Sequence, residues 1–499
     1  MSHGSAGRST SQPGPAPFCW HGLGAAQLVL LGLAAVSIFR LWYATHLELV
    51  PDEAFYWLWA KHPALSYRDK GPGVAWAIAL GTQIFGDNNF GIRVPAVLFS
   101  TGTVWLLFVL ARRLYDERVA LWCVVLATVI PELAAGSILM TIDPLSVFFW
   151  ALAALLFWRA IHSAKTLDWF WTGLAIGAGF LAKFTNGVQL GCVALFLLWS
   201  KEHRRFLFSR QSVALGAAFL ASISPLVVWN MQTGWVHATA MRSRSGLKES
   251  FGIHPLRFLE YVGAQFAVVS PLIMAGMVIA VVALLLKRHT DFRARFLLSQ
   301  FLPLYAVFSF FALNKTGQPN WTAPALVAGI VITVRFWREV IRERPAWRWG
   351  AGAALAVASL MSVVLHETSY LKLPPRLDPL RRAQGWADFA AHVQRARAEH
   401  QSSVLIGDHY SLASMMAFYL ADRPVTYVHT QSYGKTQFTL WPGYKVEPGT
   451  RALFVTTSMR PPPKVLEGEF TKLELVDDFW SQHHGRPMTR YRIYLCTRG

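Results

Sequence analysis

The sequence contains little cysteine, and this shortage excludes two kinds of architecture. Its 499 residues include four cysteines, Cys19, Cys123, Cys192 and Cys496. Cys123 and Cys192 fall inside apolar runs, whereas Cys19 and Cys496 lie near opposite ends of the chain. No two of them have the spacing of a metal-binding pair or of a disulfide motif. The sequence therefore predicts neither a disulfide-rich fold nor a cysteine metal site.

Charged residues are also scarce, and those present are mostly basic. They make up 15% of the chain against 54% hydrophobic residues, and the mean hydropathy is +0.33. The apolar residues come in runs close to the about 20 residues that a helix needs to cross a bilayer, which excludes an ordinary soluble protein. Lys and Arg outnumber Asp and Glu by 47 to 28, but they lie mainly in short gaps between the apolar runs. The basic charge therefore indicates a membrane protein and no nucleic-acid partner.

Eleven apolar runs are predicted to cross the membrane. They lie at 24–43, 91–111, 119–137, 144–161, 169–184, 188–200, 213–230, 259–286, 296–312, 320–335 and 349–366. Arg and Lys are concentrated in every second gap between them, and such gaps are cytoplasmic in membrane proteins. This alternation predicts a cytoplasmic N-terminus and an outer location for everything after residue 366. The apolar stretch Gly71–Gly86 is short and contains Gly, Pro and Gln, so we expect it to be re-entrant or interfacial.

The chain divides into three predicted parts. Residues 1–23 are rich in Ser, Gly and Pro and are expected to form a disordered cytoplasmic lead, while 24–366 form the membrane domain. Residues 367–499 alternate short apolar strands with helices, which predicts a small α/β domain on the outer side. Its expected elements are helices at 385–400 and 412–420 and strands at 403–407, 425–428, 452–456 and 490–495. No internal repeat is evident.

The first outer loop contains the most informative polar residues. Asp52 and Glu53 follow Pro51 at the start of a predicted amphipathic helix that also carries Tyr56. Acidic residues at this position stabilise a helix N-terminus, and a carboxylate just outside a membrane can also act as general base for a hydroxyl group. Further along the loop, Lys70 either neutralises a lipid phosphate or extends its ammonium group to the interface. The residues alone leave both pairs of alternatives open.

The other outer loops contribute one acid and several cations. Asp143 lies in a very short loop between two apolar spans, where a charge is costly and commonly functional, although helix capping before Pro144 is an alternative. Lys183 lies at an outer span end, where a lysine that extends to the interface is the simpler interpretation. The loop 231–258 is the most basic outer loop and suits a phosphate group. In the outer domain, Asp408–Tyr410 follow a predicted strand and are interpreted as a structural turn.

Together these segments resemble the GT-C class of integral-membrane glycosyltransferases. Within that class the chain is similar to the bacterial relatives of dolichyl-phosphate-mannose–protein mannosyltransferase, which include the aminoarabinose transferase that acts on lipid A. The resemblance runs through most of the chain from about residue 45. It is carried by PDEAFYWLW (51–59), LSYRDKGPGVAW (65–76), FGIRVPAVL (90–98), LMTIDPLSVFFWAL (139–152), LAKFTNGV (181–188), QPNWTAPA (318–325) and GDHYSLASMMAFYL (407–420).

The resemblance implies an α-helical polytopic membrane protein that transfers a sugar from a polyprenyl-phosphate donor to an envelope acceptor. The reaction is expected outside the inner membrane, with inversion, onto a glycolipid such as lipopolysaccharide, a polysaccharide or a protein. Asp52 matches the family's first-loop acid and is expected to act as base or to orient the acceptor. Asp143 matches the second-loop acid, and Glu53 is a further catalytic candidate. The residues expected to bind the donor phosphate are Lys70, Arg242, Arg244 and Lys315, and the other substrate-site candidates are Tyr56, Tyr67 and Lys183.

The sequence leaves the cofactor, the sugar and the acceptor open. Asp52, Glu53 and Asp143 could together bind a divalent metal ion, but no ligand spacing demands one. A transporter or flippase is the main alternative function, and it should show internal repeats and helices broken near the middle of the membrane. A second alternative is an anchored envelope protein whose outer domain binds a partner. The expected partners are the donor, the acceptor and the lipid bilayer.

Overall fold

A computed structural model describes residues 19–20, 22–244, 252–287, 290–314, 317–368, 371, 373–374, 377–429 and 435–499. A two-stranded hairpin, β1 (Cys19–Trp20) and β2 (Leu23–Gly24), precedes the helices. The helices up to residue 364 are α1 (Ala25–His46), α2 (Pro51–Lys61), α3 (Gly73–Phe85), α4 (Asn89–Leu114), α5 (Glu117–Val129), α6 (Pro131–Gly136), α7 (Ile142–Ser163), α8 (Thr166–Ala182), α9 (Val188–Trp199), α10 (Arg210–Gln232), α11 (Val236–Arg244), α12 (Pro255–Val269), α13 (Pro271–Leu286), α14 (Phe292–Asn314), α15 (Leu326–Glu343) and α16 (Trp347–Val364).

Six of the described helices are long and apolar enough to cross a membrane, or up to seven if α12 and α13 count as one bent span. The six are α1, α4, α7, α10, α14 and α16, and each overlaps a predicted span. The predicted number of eleven is not confirmed, because other predicted spans correspond to shorter or interrupted helices. The runs at 169–184 and 188–200, for example, form α8 and α9 with 17 and 12 residues.

Two predicted spans are interrupted where a proline begins a new helix. The run 259–286 was predicted as one crossing, but α12 and α13 meet at Ser270 with an angle of 111°. Ser270 has a φ of 89°, and Pro271 lacks the N–H that would continue the helical hydrogen bonds. The predicted span at 259–286 is therefore not one straight helix, and the bent pair forms either one broken span or a re-entrant segment. Pro131 separates α5 from α6 in the same way.

The first outer loop folds into the short helices α2 and α3. The stretch predicted to be re-entrant or interfacial forms α3, which has 13 residues. Just before it, Gly71 lies so close to the end of α8 that a Cβ atom there would be 2.0 Å from the carbonyl oxygen of Leu181. Only glycine permits this approach of two backbones. The loop that carries Lys70 is therefore held against the end of α8.

The C-terminal part contains the predicted α/β elements and one additional strand. Its five strands form a mixed sheet in the order β4-β3-β5-β7-β6, with β3 parallel to β4 and β5 and the other pairs antiparallel. The strand β6 escaped prediction because it is an edge strand with few buried residues, so its apolar alternation is weak. The elements are α17 (Trp386–Glu399), β3 (Val404–Gly407), α18 (Tyr410–Tyr419), β4 (Thr426–Val428), β5 (Arg451–Thr456), α19 (Lys464–Glu469), β6 (Lys472–His483) and β7 (Arg486–Thr497).

The first outer loop and the C-terminal part share one hydrophobic core. Phe55 and Trp57 of α2 are buried in the same cluster as the apolar face of α18. The Phe55 ring stacks on Phe438 with centroids 5.7 Å apart, and the Trp57 ring meets Phe418 edge-on at 5.2 Å. Such aromatic pairs add to the stabilisation from burial. This packing fixes the start of α2 against the C-terminal sheet and its helices.

Three histidines, of which His429 is buried and His409 and His483 are half-buried, make the stability of the C-terminal part depend on pH. Burial is the main cause that lowers the pKa of His409, His429 and His483 below the ordinary value of about 6.5. In the pH interval around the ordinary histidine pKa of about 6.5, these three residues therefore bind more protons in the unfolded chain than in the folded chain, so the folded state loses stability as the pH falls. We expect the unfolding temperature of the purified protein to decrease over this interval in differential scanning fluorimetry.

The contribution of these histidines can be separated from that of other groups. A variant with all three replaced by glutamine should show a weaker decrease of the unfolding temperature. Replacement of the exposed His62 by glutamine should leave the wild-type dependence unchanged. An unfolding temperature that is constant, or that rises as the pH falls, would contradict the prediction.

Candidate active site

Asp52 lies where the first outer loop meets the C-terminal part. It occupies the first turn of α2, and both of its carboxylate oxygens accept hydrogen bonds from residues far along the chain. The Tyr410 hydroxyl donates to Oδ1 over 3.0 Å, and the Arg382 guanidinium donates to Oδ2 over 2.9 Å. The Asp52 side chain remains 28% exposed. The carboxylate is therefore oriented from two sides and still accessible to a substrate.

Glu53, the next residue, faces the opposite way and is fully buried. Its carboxylate receives two hydrogen bonds from Arg93, of 2.8 and 2.6 Å, in an ion pair with 0% exposure on both sides. The backbone N–H groups of Val50 and Met140 donate to the same carboxylate over 3.0 and 2.8 Å. A carboxylate with four donors and no exposure has no free position for a substrate. We therefore correct the catalytic prediction for Glu53: it is a positioning residue that joins α2, α4 and the second outer loop.

Asp143 forms a second polar centre with Lys183 and Asn320. The Lys183 ammonium group lies 2.6 Å from Oδ1, and the Asn320 amide donates to Oδ2 over 2.7 Å. Lys183 also donates to the carbonyl oxygen of Asn320 and is only 5% exposed. The interpretation of Lys183 as a lysine that extends to the interface is therefore wrong, because its ammonium group is buried against a carboxylate. Asp143 itself is 18% exposed.

The pair of Asp143 and Lys183 is expected to contribute to stability. Replacement of Lys183 by methionine leaves the carboxylate with Asn320 as its main donor, so we expect the free energy of unfolding to fall by about 1.5–3 kcal/mol. Titration with a denaturing detergent would measure this change. The matched control is Lys61→Met, because Lys61 pairs with Asp87 at 2.7 Å but is 40% exposed. If both variants lost the same stability, the buried pair would have no special contribution.

Tyr56 connects the two acidic positions. It lies on α2 and is 7% exposed. Burial raises its pKa well above 10, and the nearby carboxylates of Asp52, Asp143 and Asp69 raise it further. The phenol therefore stays neutral at physiological pH and can donate a hydrogen bond. The structure thus brings Tyr56 together with both acids that the sequence predicted for the site.

Tyr67, by contrast, makes its hydrogen bond and its ring contact within the first outer loop. It is 0% exposed, its hydroxyl donates to the carbonyl oxygen of Trp59 over 2.7 Å, and its ring stacks on Trp59 with centroids 4.5 Å apart. Burial raises its pKa to about 12. With its hydroxyl committed to the backbone, Tyr67 is not placed to contact a substrate. We correct that prediction and assign Tyr67 to the support of the loop.

Of the four cations predicted to bind the donor phosphate, Lys70 is the one whose side chain belongs to the described part of the chain. Lys70 is half-buried and follows Asp69, whose carboxylate pairs with Arg68 at 2.7 Å. The Arg68 backbone N–H donates to Gln437 over 2.8 Å, so the C-terminal part also holds this loop. Arg242 and Arg244 belong to the last turn of α11, but their side chains lie outside the described part of the chain, as does Lys315. Their predicted contact with the donor phosphate stays a prediction.

Sequence reasoning missed three partners of Asp52 and Asp143. Arg382 was not singled out, Tyr410 was interpreted as part of a structural turn, and Asn320 appeared only as part of the QPNWTAPA segment. The available signals were weak: a pair of arginines in the outer domain and a polar triplet after a strand. Among the described residues, no group of three or more His, Cys, Asp or Glu is placed to bind a metal ion. Asp52 and Asp143 instead each pair with a cation of their own.

Known proteins support the resemblance that the sequence predicted. Residues 69–229 match the family of dolichyl-phosphate-mannose-protein mannosyltransferase. A lipid A galacturonosyltransferase, RgtD of Rhizobium johnstonii, is 26% identical over 78% of this chain and 83% of its own length. The undecaprenyl phosphate-alpha-4-amino-4-deoxy-L-arabinose arabinosyl transferase of Pseudomonas aeruginosa is 33% identical over 36% of this chain and 35% of its own length. The predicted family resemblance is confirmed.

The fold of this glycosyltransferase group is confirmed as well. The apo crystal structure of ArnT from Cupriavidus metallidurans matches with a TM-score of 0.62 and 16% identity, over 94% of this chain and 98% of that chain. The structure of the same protein bound to undecaprenyl phosphate matches with a TM-score of 0.61 and 16% identity, over 93% of this chain and 97% of that one. These relatives are glycosyltransferases, which favours that interpretation over a transporter or an anchored binding protein.

Proposed function

We propose that the protein transfers a sugar from a polyprenyl-phosphate donor to an envelope acceptor, on the outer side of the inner membrane. The observation that carries this proposal is the Asp52 carboxylate, which is oriented by Arg382 and Tyr410 and yet 28% exposed. The relatives act on lipid A or on a sugar carried by undecaprenyl phosphate, which supports the same classes of acceptor and donor here.

The chemistry requires a base and a cation, and the site has candidates for both. Asp52 takes the proton of an acceptor hydroxyl while the hydroxyl oxygen attacks the anomeric carbon of the donor. The bond from that carbon to the phosphate oxygen breaks, and the negative charge that develops on the phosphate is compensated by Lys70. A single displacement inverts the anomeric carbon. If the acceptor is itself a phosphate, Asp52 orients it instead of removing a proton.

The Asp143 carboxylate and its partners support the same reaction by holding the start of α7 in place beside the site. This carboxylate, held by Lys183 and Asn320, fixes the start of α7 next to Tyr56. The neutral Tyr56 hydroxyl then donates a hydrogen bond to the sugar or to its phosphate. The charge alternation along the sequence supports an outer position for this site and a cytoplasmic N-terminus.

Reconstituted transfer is the direct test of the proposed function. The full chain in lipid nanodiscs would be supplied with lipid A and with undecaprenyl phosphate carrying either galacturonic acid or 4-amino-4-deoxy-L-arabinose. We expect mass spectrometry to detect sugar on lipid A with one of these donors, and NMR of the first-formed product to show inversion. Envelope glycolipids from cells with and without the protein would identify the sugar if it differs from both.

Two results would argue against the proposal in different ways. Retention at the anomeric carbon would exclude single displacement but leave glycosyl transfer intact. Folded protein that transfers no sugar, combined with envelope glycolipids that do not change when the protein is absent, would exclude the function itself.

A further inference from the structure

A separate cavity lies beside Asp52, lined by Pro51 of α2 and by residues of the C-terminal part. Its volume is about 670 Å³, within the range of small-molecule sites. It is located at the carboxyl ends of the parallel strands β3 and β5, where α/β domains commonly bind ligands. Pro51, the residue before Asp52, forms part of its wall. Whatever occupies this cavity therefore lies next to the proposed base.

The wall of this cavity is rich in arginine. Arg381, Arg382 and Arg460 all line it. Arg382 pairs with Asp52, whereas Arg381 and Arg460 have no ion pair with any carboxylate among the described residues. Three proline residues follow Arg460 along the wall, and their restricted φ angles limit the motion of this segment. Guanidinium groups without a protein carboxylate on a concave wall attract anions, and their planar donors suit phosphate oxygens.

The other polar groups of the wall are compatible with an anion. Ser411 lies in the first turn of α18, a helix of 10 residues whose N-terminal end carries partial positive charge. Asp408 is the one acid on the wall, and burial raises its pKa. Its Oδ2 accepts a hydrogen bond from Thr456, while its Oδ1 is buried and has no partner within the described ranges. The three arginines on the wall outnumber this one acid.

The geometry points to an acceptor-binding site: the cavity holds a phosphate group of the sugar acceptor and presents the acceptor to Asp52. This inference rests on the proposed function and specifies its acceptor as a phosphorylated glycolipid. Arg382 connects the two sites, because it lines the cavity and also donates to Asp52 over 2.9 Å. An acceptor phosphate bound by Arg381 and Arg460 therefore lies in a cavity that shares Arg382 with the Asp52 carboxylate.

The donor phosphate is a poorer match for this cavity. A polyprenyl donor carries a long apolar chain that has to remain in the bilayer. The cavity is lined by a mixture of polar and apolar residues, nearly all from the C-terminal part, and no described helix long enough to span a membrane contributes to its wall. The donor cation that the sequence predicts, Lys70, belongs instead to the loop packed against the end of α8.

The test compares the binding of two phosphates to the full chain in nanodiscs. Glucosamine 1-phosphate serves as the soluble acceptor probe and undecaprenyl phosphate as the donor probe, both measured by calorimetric titration. We expect the double variant Arg381→Gln/Arg460→Gln to weaken binding of glucosamine 1-phosphate about tenfold or more, because two charge-assisted contacts are lost. The dissociation constant of undecaprenyl phosphate should change less than about twofold, because neither arginine is expected to contact the donor.

Two control variants make the result specific. Arg395→Gln removes an exposed arginine of α17 outside the cavity and should leave both affinities unchanged. Arg381→Lys/Arg460→Lys keeps the positive charge and should retain most of the affinity for glucosamine 1-phosphate. Equal weakening of both probes would assign the cavity to the donor, and no weakening of either would show that the cavity does not bind phosphate. Either result would overturn the inference.

Turnover separates this inference from the function on which it rests. With lipid A as acceptor, the double glutamine variant should raise KM for the acceptor about tenfold with little change in kcat, while dephosphorylated lipid A should be used equally poorly by variant and wild type. Transfer that is insensitive to these arginines would refute the acceptor site but keep the glycosyltransferase. Phosphate binding without any transfer would keep the site but refute the proposed function.

Discussion

Replacement of Asp52 by asparagine is expected to reduce the rate of sugar transfer to a hydroxyl acceptor by about a hundredfold to ten-thousandfold. The amide has nearly the shape of the carboxylate but cannot take the acceptor proton. Tyr410 can still donate to the remaining oxygen, so the loop should keep its position. The loss should therefore appear in kcat, with undecaprenyl-phosphate binding preserved, in the nanodisc transfer assay.

The partners of Asp52 give graded controls for this prediction. Tyr410→Phe and Arg382→Gln each remove one donor to the carboxylate and should reduce activity less than Asp52→Asn does. Asp422→Asn is the matched acid control, because Asp422 is 53% exposed, pairs with Arg397 and does not line the cavity beside Asp52. Wild-type activity in a folded Asp52→Asn protein would remove the proposed base. A loss that is large with a hydroxyl acceptor but small with a phosphate acceptor would separate deprotonation from orientation.

Replacement of Glu53 by glutamine is expected to lower the free energy of unfolding by about 3–5 kcal/mol. The Arg93 side chain is 0% exposed, and besides Glu53 its guanidinium donates to the carbonyl oxygens of Ala44, Leu47 and Glu48, over 2.9, 2.6 and 2.8 Å. Carbonyl groups orient this charge but do not neutralise it. Without the Glu53 carboxylate, a buried positive charge remains uncompensated at the point where α1, α2 and α4 meet. Detergent-induced unfolding followed by circular dichroism would measure the loss.

A second substitution tests whether the loss comes from the unpaired charge. When Glu53→Leu is combined with Arg93→Met, both charges are removed, and a large part of the stability should return. Asp422→Asn, which breaks an exposed pair, should cost no more than about 1 kcal/mol. The prediction fails if Glu53→Gln unfolds as wild type does, or if the double variant is no more stable than the single one. In the latter case the carboxylate would act mainly through its bonds to the backbone.

The two adjacent acids illustrate a limit of sequence reasoning. Asp52 and Glu53 were predicted together as catalytic candidates, because both follow a proline at the start of an aromatic helix. Neighbouring residues on a helix point in directions about 100° apart, so one carboxylate faces the C-terminal part and the other faces α4. Which acid is exposed depends on what packs on each side of α2, and the local pattern contains no information about that.

The sequence by itself determined the membrane class, the positions of the apolar helices, most strands of the C-terminal part and the loop that carries Asp52. These features follow from local properties, namely the length of apolar runs and the alternation of side chains. Only the tertiary structure decided the partners of the acids: Arg382 and Tyr410 reach Asp52 from 330 and 358 residues away, and Lys183 reaches Asp143 from 40. Such pairs form when separate elements pack together, so their energy depends on contacts between distant parts of the chain that no local pattern records.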